Sequence, residues 1–226
     1  MEHRQLQTLL SGLFPPWPHL SDREQQELAA HSRLIRYSAG SNLHSRDLDC
    51  IGMLLIISGE LRIYLLSEEG REITLYRLHQ GEACVLSAAC VLSSITFEVH
   101  IDAEQATEII AIGPDACERL MQSNIYAECF AYKLATERFS QVMWAMQQLL
   151  FISLDRRLAL FLQQELARRN DKSLNYTHEQ IARYIGSARE TISRMLKYFV
   201  EEGIVELSRG EIRVIDEEKL RQLAEG

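Results

Sequence analysis

No stretch of this 226-residue chain stays apolar long enough to cross a bilayer as a helix, which takes about 20 residues. The first residues include Glu2, His3, Arg4 and Gln5, which excludes the basic-then-apolar pattern of a secretory signal. A cytoplasmic protein without membrane contact is therefore expected. Cysteine is scarce and scattered: Cys50, Cys84, Cys90, Cys117 and Cys129 form neither a C-x-x-C pair nor a zinc-finger spacing. They are expected to be thiols in a reducing compartment, with no metal site. There is no nucleophile elbow, P-loop or metal-ligand helix, so no enzyme is indicated. No repeat of solenoid period occurs.

An excess of positive charge is also missing. The net charge is −8, which argues against a uniformly basic nucleic-acid binder. Residues 151–226, however, carry thirteen basic and thirteen acidic side chains, so all of the acidic excess lies before them. DNA binding requires only a local basic face.

What the chain does have is 46% hydrophobic and 25% charged residues, enough for a core and a solvated surface. Ser21 with Glu24 three residues on reads as a capping box starting a helix over 20–31. From 33 to 112 the texture is short apolar or alternating runs: 34–37, 53–57, 61–66, 73–78, 95–101 and 109–112. Turn residues separate them at Ala39-Gly40, Ser58-Gly59, Glu69-Gly70, Gln80-Gly81 and Gly113-Pro114. This pattern predicts an antiparallel sandwich or barrel.

Residues 115–150 become helical. Tyr132, Ala135, Phe139, Val142, Met146 and Leu149 recur at spacings of three and four, a seam of coiled-coil type. Such a stripe is either buried core or a dimer interface. Further helices are expected over 153–169, 177–185 and 188–201, a hairpin over 204–215 across Ser208-Arg209-Gly210, and a last helix capped by Asp216. The boundaries drawn are 1–114 for the strand-rich domain, 115–152 for a long helix and hinge (Gln148 to Ser153), and 153–226 for the C-terminal domain.

Two short helices around Gly186 make a helix-turn-helix. On the second, Arg189, Ser193 and Lys197 lie four apart, and Glu190 and Arg194 lie one step around. These side chains project together, opposite the apolar Ile192, Met195, Leu196 and Phe199. Arginine can donate twice to guanine, and glutamate can accept from cytosine N4. Lys197, Arg183 and His178 are candidates for holding phosphates, and Thr177 is a further DNA-binding candidate. The competing reading is a solvated face laced with i,i+4 charge pairs. The following hairpin, placed like the wing of a winged helix, argues for the DNA reading.

The stretch from Thr177 to Leu196, with Glu202-Gly203-Ile204-Val205 leading into the wing, resembles the helix-turn-helix of the Crp/Fnr superfamily of bacterial regulators. The resemblance covers nearly the whole chain. It implies an α+β architecture: a cyclic-nucleotide-binding-type β-roll, jelly-roll-like, then a long dimerisation helix and a winged helix-turn-helix. It further implies a homodimer on palindromic double-stranded DNA with TGTGA-like half-sites, and RNA polymerase as a partner. Arg189, Glu190 and Arg194 stand at the positions of the family's base-reading Arg-Glu-x-x-x-Arg pattern, and Ser193 matches the fumarate-nitrate branch, where the resemblance implies that this serine contributes to base contact.

The sensor half departs from the family. No Arg or Lys lies between Arg77 and Arg119, and a buried cyclic phosphate without a cationic partner would be costly. Cyclic AMP is therefore not the expected effector. No cysteine precedes Cys50, which argues against the N-terminal iron–sulfur cluster of the oxygen-sensing branch. Haem stays open, since a single axial ligand from His31, His44, His79 or His100 would suffice. The segment Cys84-Val85-Leu86-Ser87-Ala88-Ala89-Cys90 is similar to one in a branch of the family from anaerobic and Gram-positive bacteria. Cys84, Ser87 and Cys90 are thus candidates for a redox or effector site, against the alternative that the cysteines are core-facing small residues. An effector-independent regulator of the same fold is the alternative to an unknown small-molecule effector.

Overall fold

The computed structural model describes residues 2–44, 51–84, 99–169 and 173–225. They fall into two compact units, residues 1–66 with 75–142, and residues 67–74 with 143–226.

The first unit opens with α1 (Glu2–Leu13), a single 3-10 turn (Trp17–His19) and α2 (Asp22–Ala30). The sequence reading placed no element at the N-terminus. Leu6, Leu9, Leu10 and Leu13, three or four residues apart, nevertheless line one side of α1 and pack into the core. The α2 capping box is present: Ser21 N donates to Glu24 Oε2 at 2.7 Å, and Glu24 N donates to Ser21 Oγ at 3.4 Å.

Eight strands follow among the described residues: β1 (Ser32–Tyr37), β2 (Asn42–His44), β3 (Met53–Ser58), β4 (Glu60–Leu66), β5 (Glu72–His79), β6 (Ala83–Cys84), β7 (His100–Ala103) and β8 (Thr107–Ile112). They form two four-stranded sheets, ordered β1-β8-β3-β6 and β2-β7-β4-β5. The unbroken apolar runs of β3 and β8 arise because both faces of their sheet are covered. Leu54, Ile56, Ile109 and Ala111 face the core shared with the other sheet. Met53, Leu55, Ile110 and Ile112 face the helical layer. Burial of each leucine, isoleucine or methionine side chain among them contributes about 1.5–3 kcal/mol. The expected run at 95–101 lies outside the described residues up to Glu98, and β7 accounts for its end.

Two helices complete this layer. In α3 (Pro114–Ser123), proline occupies the first turn, where its missing N–H costs nothing. The 27-residue α4 (Ile125–Phe151) starts at Asn124, whose Oδ1 accepts from Tyr126 N and Ala127 N. It continues from the first unit into the second.

The second unit holds α5 (Leu154–Arg169), a short strand β9 (Ser173–Leu174), α6 (His178–Ile185), α7 (Arg189–Glu201), strands β10 (Val205–Ser208) and β11 (Glu211–Val214), and α8 (Glu217–Glu225). The order β10-β11-β9 makes the hairpin part of a three-stranded sheet. Its core joins Leu158, Leu162, Ile181, Ile192, Leu196, Phe199, Val205 and Ile212. Asp216 Oδ1 accepts from Lys219 N at 2.9 Å and starts α8. The long helix thus forms no unit of its own, and residues 67–74 belong to the C-terminal unit.

Candidate nucleic-acid interface

Local signals build the helix-turn-helix. Thr177 caps α6: its Oγ1 accepts from Gln180 N at 3.1 Å, while Gln180 Oε1 accepts from Thr177 N at 2.8 Å. The helix ends at Gly186 in the left-handed region (φ 65°), where Ser187 N returns to Ala182 O at 2.9 Å. The left-handed backbone favours glycine here, and a Cβ would lie 2.9 Å from Leu149 Cδ2, so that side chain would have to shift.

The α6–α7 turn is held from behind. Arg71 donates to Gly186 O at 2.5 Å, Thr74 Oγ1 to Arg183 O at 2.9 Å, and Arg157 to Ile185 O at 2.9 Å. These donors satisfy carbonyls at the C-terminal end of α6, where the helix dipole favours cations.

On α7, Ile192, Leu196 and Phe199 are fully buried. Arg189, Glu190, Arg194 and Lys197 are exposed, and none of the ion pairs among the described residues involves them. The charge-paired solvated face is therefore not seen. Ala188, the residue before the helix, offers no side-chain acceptor, so the first backbone N–H groups of α7 are open to an anion such as a phosphate.

The other candidates have different surroundings. Ser193 is half-buried, and its hydroxyl lies 2.7 Å from His178 Nδ1. His178, proposed from sequence as a phosphate contact, instead links the two helices; burial and the nearby Arg189 charge hold its pKa below the usual 6.5. Arg183 lies 3.9 Å from Glu72. Thr177 stays exposed, but its hydroxyl serves the cap.

The α4 stripe splits. Tyr132, Phe139 and Met146 are exposed. Ala135 and Val142 pack against the cores of the first unit, and Leu149 lies against Gly186. The exposed row consists of Ile125, Tyr132, Phe139 and Met146 together with Cys129, Thr136, Met143 and Leu150, two sets each spaced by seven. Sequence reasoning missed the second set because Thr136 and Cys129 weaken its apolar signal.

In the sensor half, Cys84 is fully buried on β6 beside Leu54 of β3. Ser87 and Cys90 lie outside the described residues. Burial pushes the Cys117 thiol up to about 11, a poor nucleophile near neutrality. Of the histidines, His31 Nδ1 lies 2.9 Å from Glu27 O, and His100 stacks on Tyr64. Among the described residues no group of three His, Cys, Asp or Glu side chains is placed to hold a metal. No helix among them is long and apolar enough to cross a membrane.

A Crp-like helix-turn-helix domain model matches residues 156–223, and a cyclic nucleotide-binding domain model matches residues 34–124. The structure of a transcriptional regulator of the crp/fnr family from Eubacterium rectale is 41% identical, covering 95% of this chain and 99% of its own, with a TM-score of 0.90. The cyclic AMP receptor protein of Thermus thermophilus is 27% identical over 175 residues, covering 77% of this chain and 80% of its own length. The transcriptional activator protein FnrA of Stutzerimonas stutzeri is 28% identical over 180 residues, covering 75% and 71%.

Proposed function

The chain belongs to the Crp/Fnr family of transcriptional regulators, and on that footing we propose that it acts as a homodimer that sets one α7 into each half of a palindromic DNA site. It is a DNA-binding transcription regulator with a sensor domain of the cyclic nucleotide-binding type. The observation that carries the proposal is the α7 face: Arg189, Glu190, Arg194 and Lys197 exposed without ion pairs, on a helix anchored by buried apolar residues.

In this reading Arg189 and Arg194 donate to guanine O6 and N7, and Glu190 accepts from cytosine N4. Lys197 and the open N-terminus of α7 hold phosphates and fix register. Ser193 acts through its link to His178, setting the pitch of α7 against α6. One recognition helix spans only a few base pairs, so two are needed, with half-sites about one helical turn apart.

The dimer seam is the exposed α4 row, with Ile125, Tyr132, Phe139 and Met146 at one heptad position and Cys129, Thr136, Met143 and Leu150 at the other. Large exposed apolar side chains in this register suit a parallel pair. A small-molecule effector in the first unit biases α4, which continues into the second unit and re-aims α7, a population shift between dimer states. Bound RNA polymerase is the expected readout.

Selection from random duplexes followed by footprinting tests the assignment. The expected result is a symmetric TGTGA-like site with two G·C pairs in each half. A symmetric site without those pairs would overturn the roles of Arg189, Glu190 and Arg194.

A further inference from the structure

The α6–α7 turn takes its support from chain remote in sequence. Residues 67–74, the tip of the β4–β5 hairpin, belong to the second unit, although the residues on either side of them belong to the first. The tip is closed on itself: Gly70 N donates to Ser67 O, Ser67 N to Arg71 O, and Arg71 N to Ser67 Oγ, at 2.9–3.0 Å. Its outgoing arm meets the last turn of α6 residue by residue. Arg71 donates to Gly186 O at 2.5 Å, and Thr74 Oγ1 to Arg183 O at 2.9 Å. Glu72 lies 3.9 Å from Arg183, and the Ile73 side chain is 3.6 Å from where a Cβ of Gly186 would stand. Arg183 and Gly186 are three residues apart and share one face.

The last carbonyls of a helix have no donors within it. Here Arg183 O and Gly186 O are answered by the hairpin, and Ile185 O by Arg157. No ion pair among the described residues involves Arg71 or Arg157. Burial and the Arg71 charge hold the Arg157 pKa below its usual value. Two like charges thus stand close together, held by carbonyl oxygens at the negative end of α6.

The consequence falls on one peptide plane. Gly186 O and Ser187 N belong to the same rigid unit. Arg71 holds its oxygen, and Ala182 O accepts from its nitrogen at 2.9 Å. Held on both sides, this plane sets the direction in which the chain leaves α6. Arg189, the first residue of α7, follows two residues after Ser187.

We propose that Arg71 and Thr74 are positioning residues for DNA reading: the hairpin tip fixes the Gly186–Ser187 peptide, and through it the entry of Arg189 and Glu190 into the groove. The inference rests on the reading that α7 contacts bases. It makes the DNA-reading module discontinuous in sequence, assembled from the C-terminal region and a hairpin tip that the sequence places in the sensor half.

Anisotropy titration of the full chain on its selected duplex and on single-mismatch duplexes, at several salt concentrations, tests the proposal. Each variant is measured where circular dichroism shows it fully folded, so that lost stability alone leaves affinity unchanged. Arg71→Met should bind about tenfold less tightly and Thr74→Val about fivefold, the effect of one hydrogen bond with and without a charged partner. The losses should be alike on matched and mismatched duplexes, with the salt slope unchanged. Arg71→Lys, which keeps a donor and the charge, should recover part of the affinity. Wild-type affinity in either Arg71→Met or Thr74→Val would overturn the proposal. So would a salt slope lower by about one in Arg71→Met, the sign of a direct phosphate contact. Thr74→Val keeps the β-branched shape, so it decides the matter even where Arg71→Met does not fold. A wild-type chain that binds no duplex refutes the regulator reading; variants that bind duplex like the wild type refute only this role of the hairpin.

Discussion

His178 Nδ1 and Ser193 Oγ, fifteen residues apart in sequence, lie 2.7 Å apart and tie the first helix of the helix-turn-helix to the second. Ser193 is half-buried there, so its hydroxyl serves α7's placement rather than standing free like Arg189 or Arg194. Ser193→Ala should lower stability by about 1 kcal/mol, the usual net value of such a bond. DNA affinity should fall similarly on all duplexes, with base preference unchanged. Denaturant titration and anisotropy on matched and mismatched duplexes check this; an altered base preference would restore Ser193 as a reading residue.

The same link gives a pH dependence. Burial and the Arg189 charge depress the His178 pKa below 6.5. The unfolded chain therefore takes up a proton that the folded chain resists, and stability is lost as pH falls below about 6.5 towards the depressed value. Denaturation midpoints between pH 5 and 8 should drop at the acid end for the wild type and less so for His178→Asn. Parallel curves for the two proteins would remove His178 as the source.

Base reading and phosphate holding separate by salt and by sequence. Arg189→Ala or Glu190→Ala should cost about 1–3 kcal/mol on the preferred site and relax selectivity at one base pair. Lys197→Ala should weaken all duplexes alike and lower the salt slope by about one. Anisotropy titrations at several salt concentrations give both numbers.

Phe139 projects from α4 with 65% of its surface exposed. Phe139→Asp should shift sedimentation from dimer to monomer, leaving the helical content unchanged. In a parallel pair each Cys129 faces its counterpart across the seam, so mild oxidation should produce a cross-linked dimer that Cys129→Ser does not form. A dimer that persists in Phe139→Asp would place the seam elsewhere.

Gly186→Ala should destabilise the second unit by about 1–2 kcal/mol, the cost of placing a Cβ in the left-handed region, with Leu149 forced to move as well. Proteolysis or hydrogen exchange at α6 and α7 reads this locally. An unaffected exchange rate there would contradict the close packing at the turn.

Several features of this chain were set by its sequence alone. The helix-turn-helix is contiguous and local: Thr177 at the cap, Gly186 at the left-handed end and a 3.6-residue apolar rhythm fix two helices and the polar face between Arg189 and Lys197, whatever surrounds them. The β-rich texture of 33–112 and the hairpin at 204–215 are local in the same sense. Spacing shows which residues share a face but not what covers it, and tertiary structure decided that. It turned Ala135 and Val142 inward while leaving Tyr132 and Phe139 of the same stripe exposed. It joined Ser193 to His178 and set Arg183 beside Glu72, because packing brings separate helices and loops within hydrogen-bond and Coulomb range. It also carried Arg138 across 55 residues of chain to Ala83. A window of sequence from Arg77 to Arg119 cannot register a charge delivered by a distant helix.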